Sequence, residues 1–98
     1  MATLYSILYK SSVAKDLRKI IQADRTLVIQ KIHLLAADPH PQGLVVLQGV
    51  GQLYRVRQGD YRIMYQVKDA HLIILVIKIG HRLEVYKSSK LSFARDLP

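Results

Sequence analysis

Three arginines are spaced so that a hairpin would gather them. Arg55, Arg57 and Arg62 lie within Leu53-Tyr54-Arg55-Val56-Arg57-Gln58-Gly59-Asp60-Tyr61-Arg62-Ile63-Met64-Tyr65. Gly59-Asp60 is a two-residue turn signal between runs rich in β-branched and aromatic residues. Such a turn sets Gln58 opposite Tyr61, Arg57 opposite Arg62, Val56 opposite Ile63, Arg55 opposite Met64 and Tyr54 opposite Tyr65. Side chains alternate faces along a strand. Tyr54, Val56, Ile63 and Tyr65 therefore share one face, suited to a core, and Arg55, Arg57 and Arg62 share the other. Like charges directly opposite on a sheet are destabilising. Their convergence points to an anion among them, and guanidinium forks match phosphate oxygens. The competing reading is a solvated strand face with splayed arginines, and the hairpin alone does not choose.

A second group follows the next apolar run. Ile79-Gly80-His81-Arg82 leads into Leu83-Glu84-Val85-Tyr86. Gly80 permits a bend or bulge, after which Arg82 could turn over the sheet and Tyr86 could stack on a base. A basic groove with an aromatic platform suits single-stranded nucleic acid. Edge packing of a C-terminal tail is the other reading of Tyr86.

These residues need a scaffold. Leu4 to Tyr9 reads as a first strand. In Lys10 to Gln22, Val13, Leu17, Ile20 and Ile21 form a helical stripe. Asp24 is a candidate N-cap for a second helix, Arg25 to Ala37, with Val28, Ile32 and Leu35 on its inner face. Asp38-Pro39-His40-Pro41-Gln42-Gly43 breaks it. Leu44 to Val50 is apolar, extended or irregular. Leu53 to Gln58, Tyr61 to Lys68 and Leu72 to Ile79 read as three strands of an antiparallel meander, the last one central and covered on both faces. Lys87 to Leu97 could form a short helix capped by Ser88 or Ser89. The expected fold class is α+β, with an N-terminal strand and helical hairpin packed on a small antiparallel sheet. A single domain over residues 1–98 is expected.

Composition narrows the partners. Lys plus Arg number 15 and Asp plus Glu 7, a net charge of +8 with a pI near 10.0. Such a field attracts polyanions or acidic proteins. Half the residues are hydrophobic, enough for a core. No cysteine is present, which excludes disulfides, thiol nucleophiles and cysteine-ligated zinc and suits a reducing cytosol. His33, His40, His71 and His81 are dispersed, so no metal or other cofactor is expected. The run Leu72 to Ile77 falls far short of the ~20 residues that span a bilayer. A cytoplasmic protein with no membrane partner is expected.

The chain resembles the RelE/ParE toxin superfamily. Leu53 to Tyr65 is similar to its Y-R-I-R-x-G-D-Y-R-I-x-Y pattern, and Ile79 to Tyr86 to its G-H-R…V-Y ending. The resemblance implies the microbial-ribonuclease-like RelE fold and a toxin held inactive by a cognate antitoxin. RelE-like members cleave messenger RNA, typically in the ribosomal A site. ParE-like members instead inhibit DNA gyrase and usually lack the complete basic-plus-tyrosine site. Here Arg55 and Arg57 match the two basic strand positions, Arg62 the phosphate-binding arginine, Arg82 the arginine near the scissile phosphate and leaving group, and Tyr86 the tyrosine that orients or activates the sugar hydroxyl. The implied partners are antitoxin, messenger RNA and ribosome. Familiar RelE sequences carry lysines where this chain has Arg55 and Arg57. Arginine stays protonated, so proton abstraction falls to Tyr86, His81 or ribosomal RNA. A structural role for His81 is favoured.

Overall fold

The β3–β4 hairpin organises the molecule, and its register is the one the turn chemistry predicts. The computed structural model describes residues 4–47 and 53–81. The elements are β1 (Ser6–Tyr9), α1 (Val13–Arg18), α2 (Gln22–Leu35), β2 (Val45–Val46), β3 (Leu53–Gln58), β4 (Tyr61–Lys68), a 3-10 turn (Asp69–His71) and β5 (Ile73–His81). The five strands are ordered β1-β5-β4-β3-β2. Gly59 adopts φ 61° at the hairpin turn, a left-handed conformation that glycine accepts without a Cβ clash. Arg57 then faces Arg62, Val56 faces Ile63 and Tyr54 faces Tyr65.

Both helices cover one face of the sheet. Val28, Ile32 and Leu35 recur at helical spacing, and with Val13 and Ile20 they pack on Val56, Ile63, Tyr65, Val67, Ile74, Val76 and Ile79. Burying a side chain of this size is worth about 1.5–3 kcal/mol, so this layer supplies most of the cohesion. α+β is thus the observed class. No helix of the described residues is long and apolar enough to cross a membrane.

Three details differ from expectation. The sheet is mixed: β3, β4 and β5 form the antiparallel meander, but β1 joins β5 in parallel. The chain leaves β1 through the helical hairpin rather than a tight turn, which is how parallel neighbours are connected. Second, α1 ends at Arg18 and α2 begins at Gln22, capped by extended Ile21. Ile20 is buried while Ile21 is 67% exposed, so the chain turns its corner between them. Arg25 closes that corner by donating from Nη2 to the Ile20 carbonyl at 2.9 Å. Asp24 therefore lies inside the first helical turn, where the helix dipole favours a carboxylate. Third, the β4–β5 connection is the 3-10 turn plus Leu72 at φ 54°, and β5 runs from Ile73 to His81.

A bulge marks the β4–β5 ladder. Met64 pairs with Lys78 and Tyr65 with Val76, so Ile77 is the extra residue. Gly80, expected to bend the strand, instead stays in the ladder opposite Arg62. β1 covers β5 only as far as Val76. Beyond it, Asp16 of α1 replaces the missing strand: its carboxylate accepts from the Ile79 amide at 3.1 Å and lies 3.5 Å from the Lys78 ammonium. Of the remaining expectations, Val45–Val46 of the apolar stretch is a strand. The tail helix over 87–97 lies outside the described residues.

Candidate nucleic-acid interface

Strand alternation divides the hairpin into an apolar face and a cationic one. Val56, Ile63 and Tyr65 point into the helix-side core, with Tyr54 and Tyr61 partly buried against it. Arg55, Arg57 and Arg62 take the reverse face. Cβ atoms of directly opposed residues lie about 4.5–5.5 Å apart, so the Arg57 and Arg62 stems start as immediate neighbours. Arg62 Nη1 donates to the Tyr61 carbonyl at 3.4 Å. Gly80, next to Arg62 across the β4–β5 ladder, puts no side chain on this face.

The cationic face has an apolar floor. Leu53 and Met64, which alternate with these arginines along β3 and β4, are both 0% exposed yet stand outside the helix-side cluster. Arg55 and Arg62 are half-buried and Arg57 is exposed.

A cleft of about 370 Å³ opens beside these heads. It is lined by Arg55, Val56, Arg57 and Arg62 of the hairpin together with Lys31 of α2, Gln42, Gly43 and Val45. Among the described residues no carboxylate lines it. The strand pattern gives no hint of Lys31, because its part depends on how α2 packs against β3. Its only sequence signal is its place next to Ile32 in the core stripe.

The histidines sit elsewhere. His81 pairs with Tyr61, their ring centroids 5.8 Å apart and nearly perpendicular. Since Tyr61 packs toward the helices, His81 lies on the face opposite the arginines. His40 meets Tyr54 edge-on at 5.1 Å. Arg82 and Tyr86, the other two expected site residues, lie outside the described residues.

Comparison with known proteins agrees with this architecture. The family model for the ParE toxin of type II toxin-antitoxin systems matches residues 7–86. The putative toxin RelE1 of Methanocaldococcus jannaschii is 32% identical over 79 residues, 78% of this chain and 88% of that protein. Toxin RelG of Mycobacterium tuberculosis is 21% identical over 84 residues, 85% of this chain and 97% of the relative. The archaeal RelE–RelB complex from Pyrococcus horikoshii superposes with a TM-score of 0.72 at 28% identity, covering 81% of this chain and 96% of that one. A double mutant of Escherichia coli toxin RelE in the free state gives 0.76 at 23% identity, covering 96% and 99%, a likeness of fold alone. The chain therefore belongs to the RelE/ParE superfamily of toxins of type II toxin-antitoxin systems.

Proposed function

We propose that this toxin is an endoribonuclease that cuts messenger RNA, in the ribosomal A site, without a metal ion. The observation that carries this reading is the direct opposition of Arg57 and Arg62, with Arg55 on the same face, beside a cleft that no carboxylate of the described residues lines. Facing guanidiniums repel one another unless an anion lies between them.

In this reading a ribose 2′-oxygen attacks the adjacent phosphorus and the bond to the 5′-oxygen breaks. The products are a 2′,3′-cyclic phosphate and a 5′-hydroxyl. The 2′-hydroxyl surrenders its proton and the leaving oxygen takes one up. Because the nucleophile belongs to the substrate, no bound water has to be activated. Arg55, Arg57 and Arg62 hold the phosphate and neutralise charge that grows on its oxygens in the transition state. Preorganised donors of this kind are worth about 3–4 kcal/mol each. The superfamily resemblance adds Arg82 beside the leaving group and Tyr86 at the sugar hydroxyl. His81 sits with Tyr61 on the far face, which favours Tyr86 or ribosomal RNA as the base.

The relative from Pyrococcus horikoshii is a RelE solved with RelB. By extension, a cognate antitoxin in the cytoplasm is the partner proposed for this chain. A net charge of +8 favours an acidic one.

The test is cleavage of ribosome-bound message by purified toxin in EDTA. Cut messages ending in 2′,3′-cyclic phosphate are expected. The match to the ParE family model favours one other reading, a non-catalytic inhibitor of DNA gyrase. Intact messages together with blocked supercoiling would replace the nuclease with that inhibitor.

A further inference from the structure

Two lysines of the described residues are half-buried, Lys31 and Lys78, whereas Lys10, Lys15, Lys19 and Lys68 are exposed. Lys78 has its counter-charge: the Asp16 carboxylate, 10% exposed, lies 3.5 Å away. Lys31 has no such partner among the described residues, and Arg55, Arg57 and Arg62 line the same cleft. Four cationic side chains thus line one cleft, and a polyanion matches such a concentration of positive charge.

The backbone nearby is arranged to help. The Leu47 amide donates to the Leu53 carbonyl at 3.0 Å. Backbone groups alternate sides along a strand, so Leu53, Arg55 and Arg57 all direct theirs toward the β2 side. The ladder stops at Val45 and Arg55. Gly43, at φ 88°, turns the chain there, so β2 does not pair with Arg57, which lines the same cleft as Lys31 and Gln42. At about 370 Å³ the cleft falls within the ~300–1,000 Å³ of small-ligand pockets, more than one phosphate requires.

We propose that Lys31, with the Arg57 backbone edge, forms a second phosphate site, which takes the phosphodiester next to the one gripped by Arg55, Arg57 and Arg62. The inference rests on the RNA-cleaving reading above. Lys31 is then a positioning residue that sets strand register and touches no reacting atom. Its ammonium contributes as a point charge, so arginine can replace it.

The test compares wild type with Lys31→Gln, Lys31→Arg, Arg62→Gln and the exposed control Lys10→Gln. One probe is a 2′-O-methyl single-stranded RNA of several nucleotides. The other is a 2′-O-methyl dinucleotide carrying a single phosphate, used as a competitor. Lys31→Gln should bind the longer strand about fivefold more weakly, with a salt slope lower by roughly 0.7, the release expected for one phosphate contact. Its dinucleotide inhibition should match wild type. In ribosome cleavage KM should rise and kcat hold, with Lys31→Arg restoring KM and Lys10→Gln silent. Equal weakening on both probes would put Lys31 on the reacting phosphate and overturn the second site. An unaltered Lys31→Gln beside a crippled Arg62→Gln would overturn the inference and leave the nuclease standing. If Arg62→Gln also bound and cleaved normally, the RNA reading itself would fall.

Discussion

On the helix side of the β3–β4 hairpin, Val56 meets Ile63 and Tyr54 meets Tyr65; on the reverse, Arg57 meets Arg62 and Arg55 meets Met64. The same two strands carry both faces, one residue out of step. The helix side is assembled from apolar contacts that favour folding. The reverse sets two guanidinium-bearing residues directly opposite each other, a concentration of positive charge that suits an anionic ligand. Stability and binding are therefore separable by alternate substitutions, and a one-residue slip in register would exchange them. The tight Gly59-Asp60 turn guards against that slip.

The contrast breaks most visibly in the core. Ile32 is 0% exposed beneath the sheet, and Ile32→Ala should cost about 2–5 kcal/mol of stability, read as a lower urea midpoint. Cleavage per folded molecule should stay near wild type. Arg62→Ala should do the reverse. Loss of one preorganised cation predicts a cleavage rate down by on the order of a hundredfold or more, with a much smaller drop in urea midpoint than Ile32→Ala. A large stability loss in Arg62→Ala would show that the cationic face also holds the fold together.

Asp16 tests the border between the faces. It satisfies the Ile79 amide and faces Lys78 where β5 has outrun β1. Asp16→Ala strands a backbone donor, for a cost of about 1–3 kcal/mol. Hydrogen exchange at the Ile79 amide should accelerate more than exchange at Ile63. Equal protection at both sites would mean that the carboxylate does not hold this edge.

The parts legible in the sequence were those governed by local rules. A two-residue turn and a period of two determine which side chains oppose, so the Arg57–Arg62 pair could be read directly. Val28, Ile32 and Leu35 announced the inner face of α2 in the same way. The parallel pairing of β1 with β5 carries no such signal, because its partners are remote and no turn joins them. Ile21 misled because its type suits a core, whereas the corner between the helices leaves it exposed. Lys31 escaped notice for a third reason. A site assembled across the gap between a helix and a strand edge has no spacing to read. The pairing of arginines could be foreseen, but the far wall of their cleft could not.

Tyr65 gives the smallest and most pointed test, since it belongs to the core yet reaches toward the cleft. Its ring is 0% exposed, and its hydroxyl donates to the Pro39 carbonyl at 2.7 Å, three residues before Gln42. Burial, followed by the neighbouring Tyr54 and Asp38, raises the ionisation of this phenol well above its ordinary 10.0. The unfolded chain gives up the proton near that ordinary value, whereas the folded chain retains it. Tyr65 therefore contributes its full stabilisation below about pH 10, and that contribution is lost as pH climbs toward the raised folded value. Tyr65→Phe should cost about 1 kcal/mol at neutral pH and flatten the alkaline decline measured by urea unfolding at stepped pH. Tyr9, also raised by burial, would leave a residual slope in both proteins. If the variant keeps the full wild-type decline, Tyr65 is not the group that titrates. If it instead loosens RNA binding as much as removal of Lys31 does, the Pro39 anchor transmits core packing to the cleft wall, and the two faces are not independent.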